Sequence, residues 1–339
     1  MSLVQSPHDP RGAARLAWAR AASGRPGLQL QRASSDAGFR SYWRGAVAGE
    51  QGTCIVMDSP TELEDVRPWL HLQEVLRAGG VRVPQVRAQD PGAGFLLLED
   101  LGSVTFLDLI DAGNADALFD QALTQLLGLQ AIAPPPALPA YDCALLEAEL
   151  ELFDQWLLQR HLGLVLSAAE AAALRALRQR LVDAALAQPQ LLVHRDFMPR
   201  NLMPVDGGAV VLDFQDAVRG PLAYDVLSLF KDAFLSWPEA RVQAWLDHYR
   251  ARALEQGLPV PDPEAFRRDV DWIGVHRHMK VLGIFARLHH RDHKPRYLAD
   301  APRFLGYLRQ VLPRYPELAA LSELLESRLA PALAARPPD

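Results

Sequence analysis

The chain has 339 residues, 49% of them hydrophobic and 22% charged, enough to bury two cores or a single two-lobed one. A formal net charge of −6 gives no support to a nucleic-acid surface, and Cys54 and Cys143, far apart, read as reduced core residues rather than a disulfide framework or a metal site. No apolar stretch is long enough to span a bilayer and the opening MSLVQSPHDP lacks a signal's apolar core, so a soluble cytoplasmic protein is expected, with no nucleic-acid, membrane or obligate protein partner.

From the N-terminus, residues 11–22 have the spacing of a short amphipathic helix with Leu16 and Trp18 inward. Segments 28–34, 42–49 and 53–58 read as short strands, with an Asp36-Ala37-Gly38 turn between the first two. A helix is expected from Leu63 to Arg77, stopped by Gly79-Gly80. Segments 81–90 and 94–102 read as two more strands, the second wholly apolar from Phe95 to Leu98. Beyond residue 103 helix dominates: 115–132, 142–160 and 167–187, then 223–235, 239–256, 263–290 and 301–330, with a frayed tail. The prolines at 134–136 and 139 separate the first two.

Between those helices lies the segment that speaks of chemistry, LLVHRDFMPRNLMPVDGGAVVLDFQD at 191–216. An apolar strand ends in His194, Arg195 and Asp196; Asn201 follows five residues later; an Asp206-Gly207-Gly208 turn leads to a second apolar strand and Asp213. This is the H-R-D-x-x-x-x-N loop and strand-borne aspartate of phosphoryl-transfer enzymes. One carboxylate, Asp196, takes the acceptor hydroxyl's proton, and two oxygen ligands, Asn201 and Asp213, suit Mg²⁺ on the phosphates of ATP. The element order then predicts an α+β, two-lobed kinase-like fold. A small β-rich N-terminal nucleotide-binding lobe spans 1–101, a larger mainly helical catalytic and substrate-binding lobe spans 102–339, and a hinge lies near 99–102. Gln215, where a protein kinase carries glycine, argues against an ordinary protein kinase.

On HRDFMPRNLM, DFQDAVRGPLAYDVLSLFKDAFLSWP, FRSYWR, IVMDSPTELED and RHMKVLGIFARLHHRDHKPRYL, the chain resembles the aminoglycoside phosphotransferase/choline kinase superfamily. More narrowly, it resembles the bacterial anomeric N-acetylmuramate/N-acetylglucosamine kinases, across nearly its whole length. The resemblance implies transfer of the ATP γ-phosphate to the C1 hydroxyl of a free amino sugar. In that family the product is a sugar 1-phosphate used in recycling cell-wall fragments, and the resemblance implies the same here.

One departure concerns the phosphates. Kinase-like folds place a lysine on the third strand of the N-lobe, but here Met57 or Asp58 stands there, and Lys231, Lys280 and Lys294 are the only lysines in the chain. Arg40 and then Arg44 are the candidates to hold phosphate instead, since a guanidinium forks onto its oxygens. Backbone groups of Glu99 and Leu101 are candidates to meet adenine, in a segment that reads equally as a buried strand with a turn. Asp216 reads as an aid to the metal, a substrate contact or a solvated loop residue, and Asp225 as a helix cap, a brace for the catalytic loop or a substrate contact. Arg287, Arg291 and Lys294 are candidate cations for the carboxylate of an acidic sugar, or a solvated basic face. His289 and His293 share a helix face but lack a third metal ligand at suggestive spacing. Two other functions remain open: a kinase of another small alcohol (aminoglycoside, choline or homoserine), and a non-catalytic nucleotide-binding protein.

Overall fold

Nine strands and twelve α-helices make up the regular structure of the computed structural model, which describes residues 9, 11–34 and 39–336. The Asp36-Ala37-Gly38 turn, the opening of the chain and its last three residues lie outside them. In chain order the first elements are α1 (Gly12–Ser23), β1 (Gln29–Ser34), β2 (Ser41–Ala46), β3 (Cys54–Asp58), α2 (Arg67–Ala78), β4 (Val86–Asp90), β5 (Phe95–Glu99) and α3 (Phe106–Leu109). Next come α4 (Ala115–Ala131), α5 (Cys143–Leu152), α6 (Ala168–Ala187), β6 (Gln190–Val193), β7 (Leu202–Val205), β8 (Gly208–Val211) and β9 (Val218–Pro221). The rest is helical: α7 (Ala223–Phe230), α8 (Glu239–Glu255), α9 (Pro263–Asp292), α10 (Ala301–Val311), α11 (Ala319–Leu324) and α12 (Ala330–Ala334).

These elements form two compact units, one of residues 1–112 with 200–215, the other of residues 113–199 with 216–339. In the first, five antiparallel strands run in the order β1-β2-β3-β5-β4. Their alternating apolar residues bury Leu28, Cys54, Val56 and Leu97 against Ala19 of α1, with Trp18 and Trp43 at the margin. Arg15, rather than Leu16, is buried beside Ala19 in α1: its guanidinium meets the Asp58 carboxylate at 2.7 Å. Helix α2 starts at Arg67, not Leu63, because residues 61–63 form a turn and Asp65 accepts from the Arg67 amide at 3.0 Å. The strand expected over 81–90 begins only at Val86, after Pro84, which has no N–H to give a ladder. The β7–β8 hairpin also belongs here, tied by the Val211 amide to the Arg82 carbonyl and by Phe214 against Trp69, ring centroids 5.0 Å apart.

The second unit is built around α9, whose residues from Val270 to Gly283 are all buried, as a helix at the centre of a bundle requires. Helix α5 continues as π-helical turns over Phe153–His161, which the sequence pattern did not distinguish from α. Gly220-Pro221, a pair that by itself reads as a turn, closes β9, which pairs antiparallel with β6. A side chain at Gly220 would sit 3.0 Å from Tyr141, so glycine lets that ring come down on the strand. Helix α7 ends at Phe230, short of 235, and the helix expected over 301–330 is broken, since Pro313 and Pro316 each remove an amide. Cys54 is buried as expected, but Cys143, in the first turn of α5, is exposed and no core residue. No described helix is long and apolar enough to cross a membrane.

Candidate active site

The catalytic loop is held from inside the second unit. Strand β6 delivers the chain to His194, which is fully buried, and Asp225 in the first turn of α7 lies beneath it, equally buried. Asp225 Oδ2 accepts from the His194 amide at 2.6 Å and Oδ1 from the Arg195 amide at 3.0 Å. Of capping, bracing and substrate contact, this geometry is bracing. Burial pushes the Asp225 carboxyl up to about 6, against the neighbouring His194 ring and the two amides, which favour the anion. The Asp196 amide donates to His194 Nδ1 at 3.2 Å, and Phe197 meets the same imidazole edge-on.

Arg195 is left-handed, with φ 74°, which costs a non-glycine residue about 1–2 kcal/mol. Its side chain supplies the compensation, and the sequence pattern missed the partner. Arg195 Nη2 donates to Glu149 Oε1 at 2.6 Å; Lys280 Nζ lies 2.7 Å from the same oxygen; the Tyr141 hydroxyl donates to Oε2. Lys280 also donates to the Tyr224 hydroxyl at 3.0 Å. Two signals were present in the sequence. Glu149 stands three residues from Leu146 and four from Phe153, on the inward face of α5, and Lys280 is one of three lysines, inside an otherwise apolar run.

Asn201 and Asp213 belong to the first unit, where local backbone pairing brings them together. β7 and β8 pair Leu202 with Val211, and one step beyond, the Leu212 amide donates to the Asn201 carbonyl at 2.9 Å. This sets Asp213 beside the position opposite Asn201. Asp213 is exposed and left-handed at φ 61°, a conformation aspartate tolerates better than most residues, and its Oδ1 accepts from Gln215 Nε2 at 2.7 Å.

Asp58, standing where lysine is expected, is buried against two guanidinium groups, Arg11 at 2.8 Å and Arg15 at 2.7 Å. Arg40, just before β2, pairs with Glu64. Arg44 forks onto Asp100 at 2.6 and 3.0 Å and donates to the Gly102 carbonyl at 2.7 Å. The Glu99 amide donates to the Gln85 carbonyl at 3.0 Å, while its carboxylate takes Arg82 Nη2 at 2.7 Å and the Gln85 amide at 2.8 Å; Leu101, past the end of β5, is half-buried. In the second unit Asp216 is exposed, its carbonyl 3.4 Å from Arg195 Nη1. Arg287 and Arg291 lie in the last turns of α9, Arg287 half-buried and Arg291 forked onto Asp292. His289 gathers with His161 and His290, their ring nitrogens within 4.8 Å of one another, and not with His293, which caps α9. Burial and the two neighbouring imidazoles hold His161 down at about 4.

The profile of the family described as "Phosphotransferase enzyme family" matches residues 29–268. The chain is 51% identical to the N-acetylmuramate/N-acetylglucosamine kinase of Pseudomonas putida over 88% of each chain. It is 50% identical to the protein of the same name in Pseudomonas aeruginosa over 89% of each. Among solved structures, choline kinase LicA from Streptococcus pneumoniae superposes with a TM-score of 0.61 at 15% identity, covering 88% of this chain and all of that one. That last likeness speaks for the fold alone.

Proposed function

The chain belongs to the phosphotransferase enzyme family and, within it, to the N-acetylmuramate/N-acetylglucosamine kinases, and from that premise we propose that it phosphorylates the anomeric C1 hydroxyl of those sugars. It is an ATP-dependent sugar kinase with the two-lobed α+β kinase-like fold. The observation that carries this reading is the 51% identity to the Pseudomonas putida kinase over 88% of both chains, where protein-wide likeness rather than a motif is shared. Transfer to C1 fits the single carboxylate of the catalytic loop, because an anomeric hydroxyl is more acidic than an ordinary alcohol and one base suffices. The sugar 1-phosphate product suits the recycling of cell-wall fragments, and a cytoplasmic location is in keeping with the use of ATP.

Asp196 is the group that accepts the proton of the attacking hydroxyl, in a loop held by Asp225 and Arg195. Asn201 and Asp213 offer a carbonyl and a carboxylate oxygen from neighbouring positions of one hairpin, a hard-oxygen pair that fits Mg²⁺. When bound, the ion neutralises charge developing on the transferred phosphoryl group. With Asp58 in the lysine slot occupied by two arginines, phosphate binding falls to Arg40, whose pairing with Glu64 parallels a lysine–glutamate pair, and then to Arg44. Glu99 and Leu101 offer backbone groups to adenine, and Asp216, Arg287 and Arg291 are the side chains assigned to sugar recognition.

Purified protein given Mg-ATP and a panel of sugars, aminoglycosides and choline tests the acceptor class by release of ADP. N-Acetylmuramate and N-acetylglucosamine should be turned over and the cationic alcohols should not; the reverse pattern would reject the amino-sugar reading. Arg40→Ala should raise the KM for ATP about tenfold, the value of one charge-assisted hydrogen bond. An unchanged KM would remove Arg40 as the phosphate anchor.

A further inference from the structure

We propose that Glu149 is a positioning residue for phosphoryl transfer, acting through Arg195 to fix the backbone from which Asp196 works. The proposal rests on the reading of Asp196 as the base. Its grounds are the convergence of two regions distant in sequence, residues 141–149 and α9, on the side chain next to that base. Helix α5 supplies Glu149, 5% exposed; α9 supplies Lys280, 8% exposed; the segment before α5, bridged to β9 at Ala140 and Arg219, supplies Tyr141. Arg195 Nη2 and Lys280 Nζ both meet Oε1 of Glu149, while Tyr141 occupies Oε2. A carboxylate buried this deeply is costly unless paired and hydrogen-bonded, and here both oxygens are engaged. Burial alone would raise the Glu149 carboxyl; its neighbours Lys280, His276 and Arg195 overcome it and hold it down at about 2.

The placement has a mechanical consequence. The Arg195 backbone is in the left-handed region, so the loop would relax toward an ordinary conformation if its anchors let go. Asp225 holds the loop by the Arg195 and His194 amides; Glu149 holds it by the Arg195 guanidinium, which also stacks 5.5 Å over Tyr141. A residue pinned at both backbone and side chain has little freedom to turn, and Asp196 is covalently next to it. Lys280 completes the arrangement by supplying the second cation, so that Glu149 stays ionised and seated whether or not the loop shifts. The same pairing gives the loop arginine an internal counter-ion.

The test compares wild type, Glu149→Gln, Arg195→Met and the double variant on N-acetylmuramate with Mg-ATP, recording kcat and both Michaelis constants. Glu149→Gln should lower kcat about ten- to a hundredfold, the scale of a catalytic group displaced by about an ångström, and leave the KM for ATP within about twofold. In the Arg195→Met background the same substitution should change kcat by less than about threefold, because its route of action is already gone. Glu149→Asp, which keeps the charge, should recover part of the loss. Equal losses in both backgrounds, or a Glu149→Gln enzyme within threefold of wild type, would overturn the proposal. Should Glu149→Gln not fold, Arg195→Met alone decides, since it leaves Glu149 paired with Lys280; wild-type kcat in that variant also overturns the proposal. If wild type instead phosphorylates a different alcohol, the sugar assignment falls while the four-way comparison is run on that alcohol, so the two failures are told apart.

Discussion

The catalytic loop of the second unit and the β7–β8 hairpin of the first carry the same kind of residue, an aspartate beside or in left-handed backbone, but hold it by different means. His194 to Asp196 are secured by buried charged groups from far along the chain: Glu149, Asp225 and Lys280. Asn201 and Asp213 are set side by side by their own neighbours, a two-strand ladder, a tight turn at Gly207 and the Leu212 amide, and the hairpin as a whole is tied by backbone and apolar contacts to Arg82 and Trp69 rather than by buried charges. On the proposed roles, the residue assigned as base is tied to the core, whereas the residues assigned to an ion that would arrive with its substrate are set side by side on one hairpin.

That contrast predicts an ordering of effects. Asp196→Asn should reduce kcat about a thousandfold with nucleotide binding retained, within the range expected for loss of a general base; near-normal turnover in that variant would remove the base assignment. Asp213→Asn keeps the left-handed backbone and should lower kcat about a hundredfold at ordinary Mg²⁺, with partial recovery as Mg²⁺ is raised. Failure of added Mg²⁺ to help would break the metal-ligand half of the comparison.

Next in size is a stability effect confined to the catalytic-loop region. The folded-state Glu149 carboxyl lies below its ordinary value, so its contribution is full above about pH 4.5 and is lost as pH falls toward 2. The gap from 4.5 to about 2 corresponds to about 3 kcal/mol, which urea melts of wild type and Glu149→Gln across that range should show as a difference that shrinks with acid. A constant difference from pH 7 to pH 2 would contradict the buried-anion account. The smallest effect belongs to the hairpin: Gly207 has φ 75° and open space around its Cα, so Gly207→Ala should cost about 1 kcal/mol of stability with kcat unchanged. A large loss of kcat there would mean that the hairpin, too, is finely aimed.

What could be read from the sequence follows the same divide. The strands of the first unit, the hairpin turn and the H-R-D-x-x-x-x-N spacing are local, so periodicity and turn chemistry revealed them within a few residues. The strand at Val218–Pro221 was missed because its partner lies 25 or more residues upstream and its Gly-Pro pair reads as a turn. The π-helical turns after Leu152 have the same apolar spacing as an α-helix, and Cys143 follows an N-capping Asp142 that turns it outward. Glu149 and Lys280 escaped notice because a buried ion pair 131 residues apart leaves only two anomalies, an acid on an apolar helix face and a lysine in an apolar run. Arg40 shows the opposite case. Its candidacy came from the missing lysine, and the fold then gave it a glutamate partner, Glu64.

The most direct test of the account is the position of the phosphate on the sugar. Phosphorus and proton NMR of the product from N-acetylmuramate and Mg-ATP should show phosphate coupled to the anomeric proton, and the 1-O-methyl glycoside should not react. Phosphate on any other carbon, or turnover of the methyl glycoside, would contradict transfer to the C1 hydroxyl.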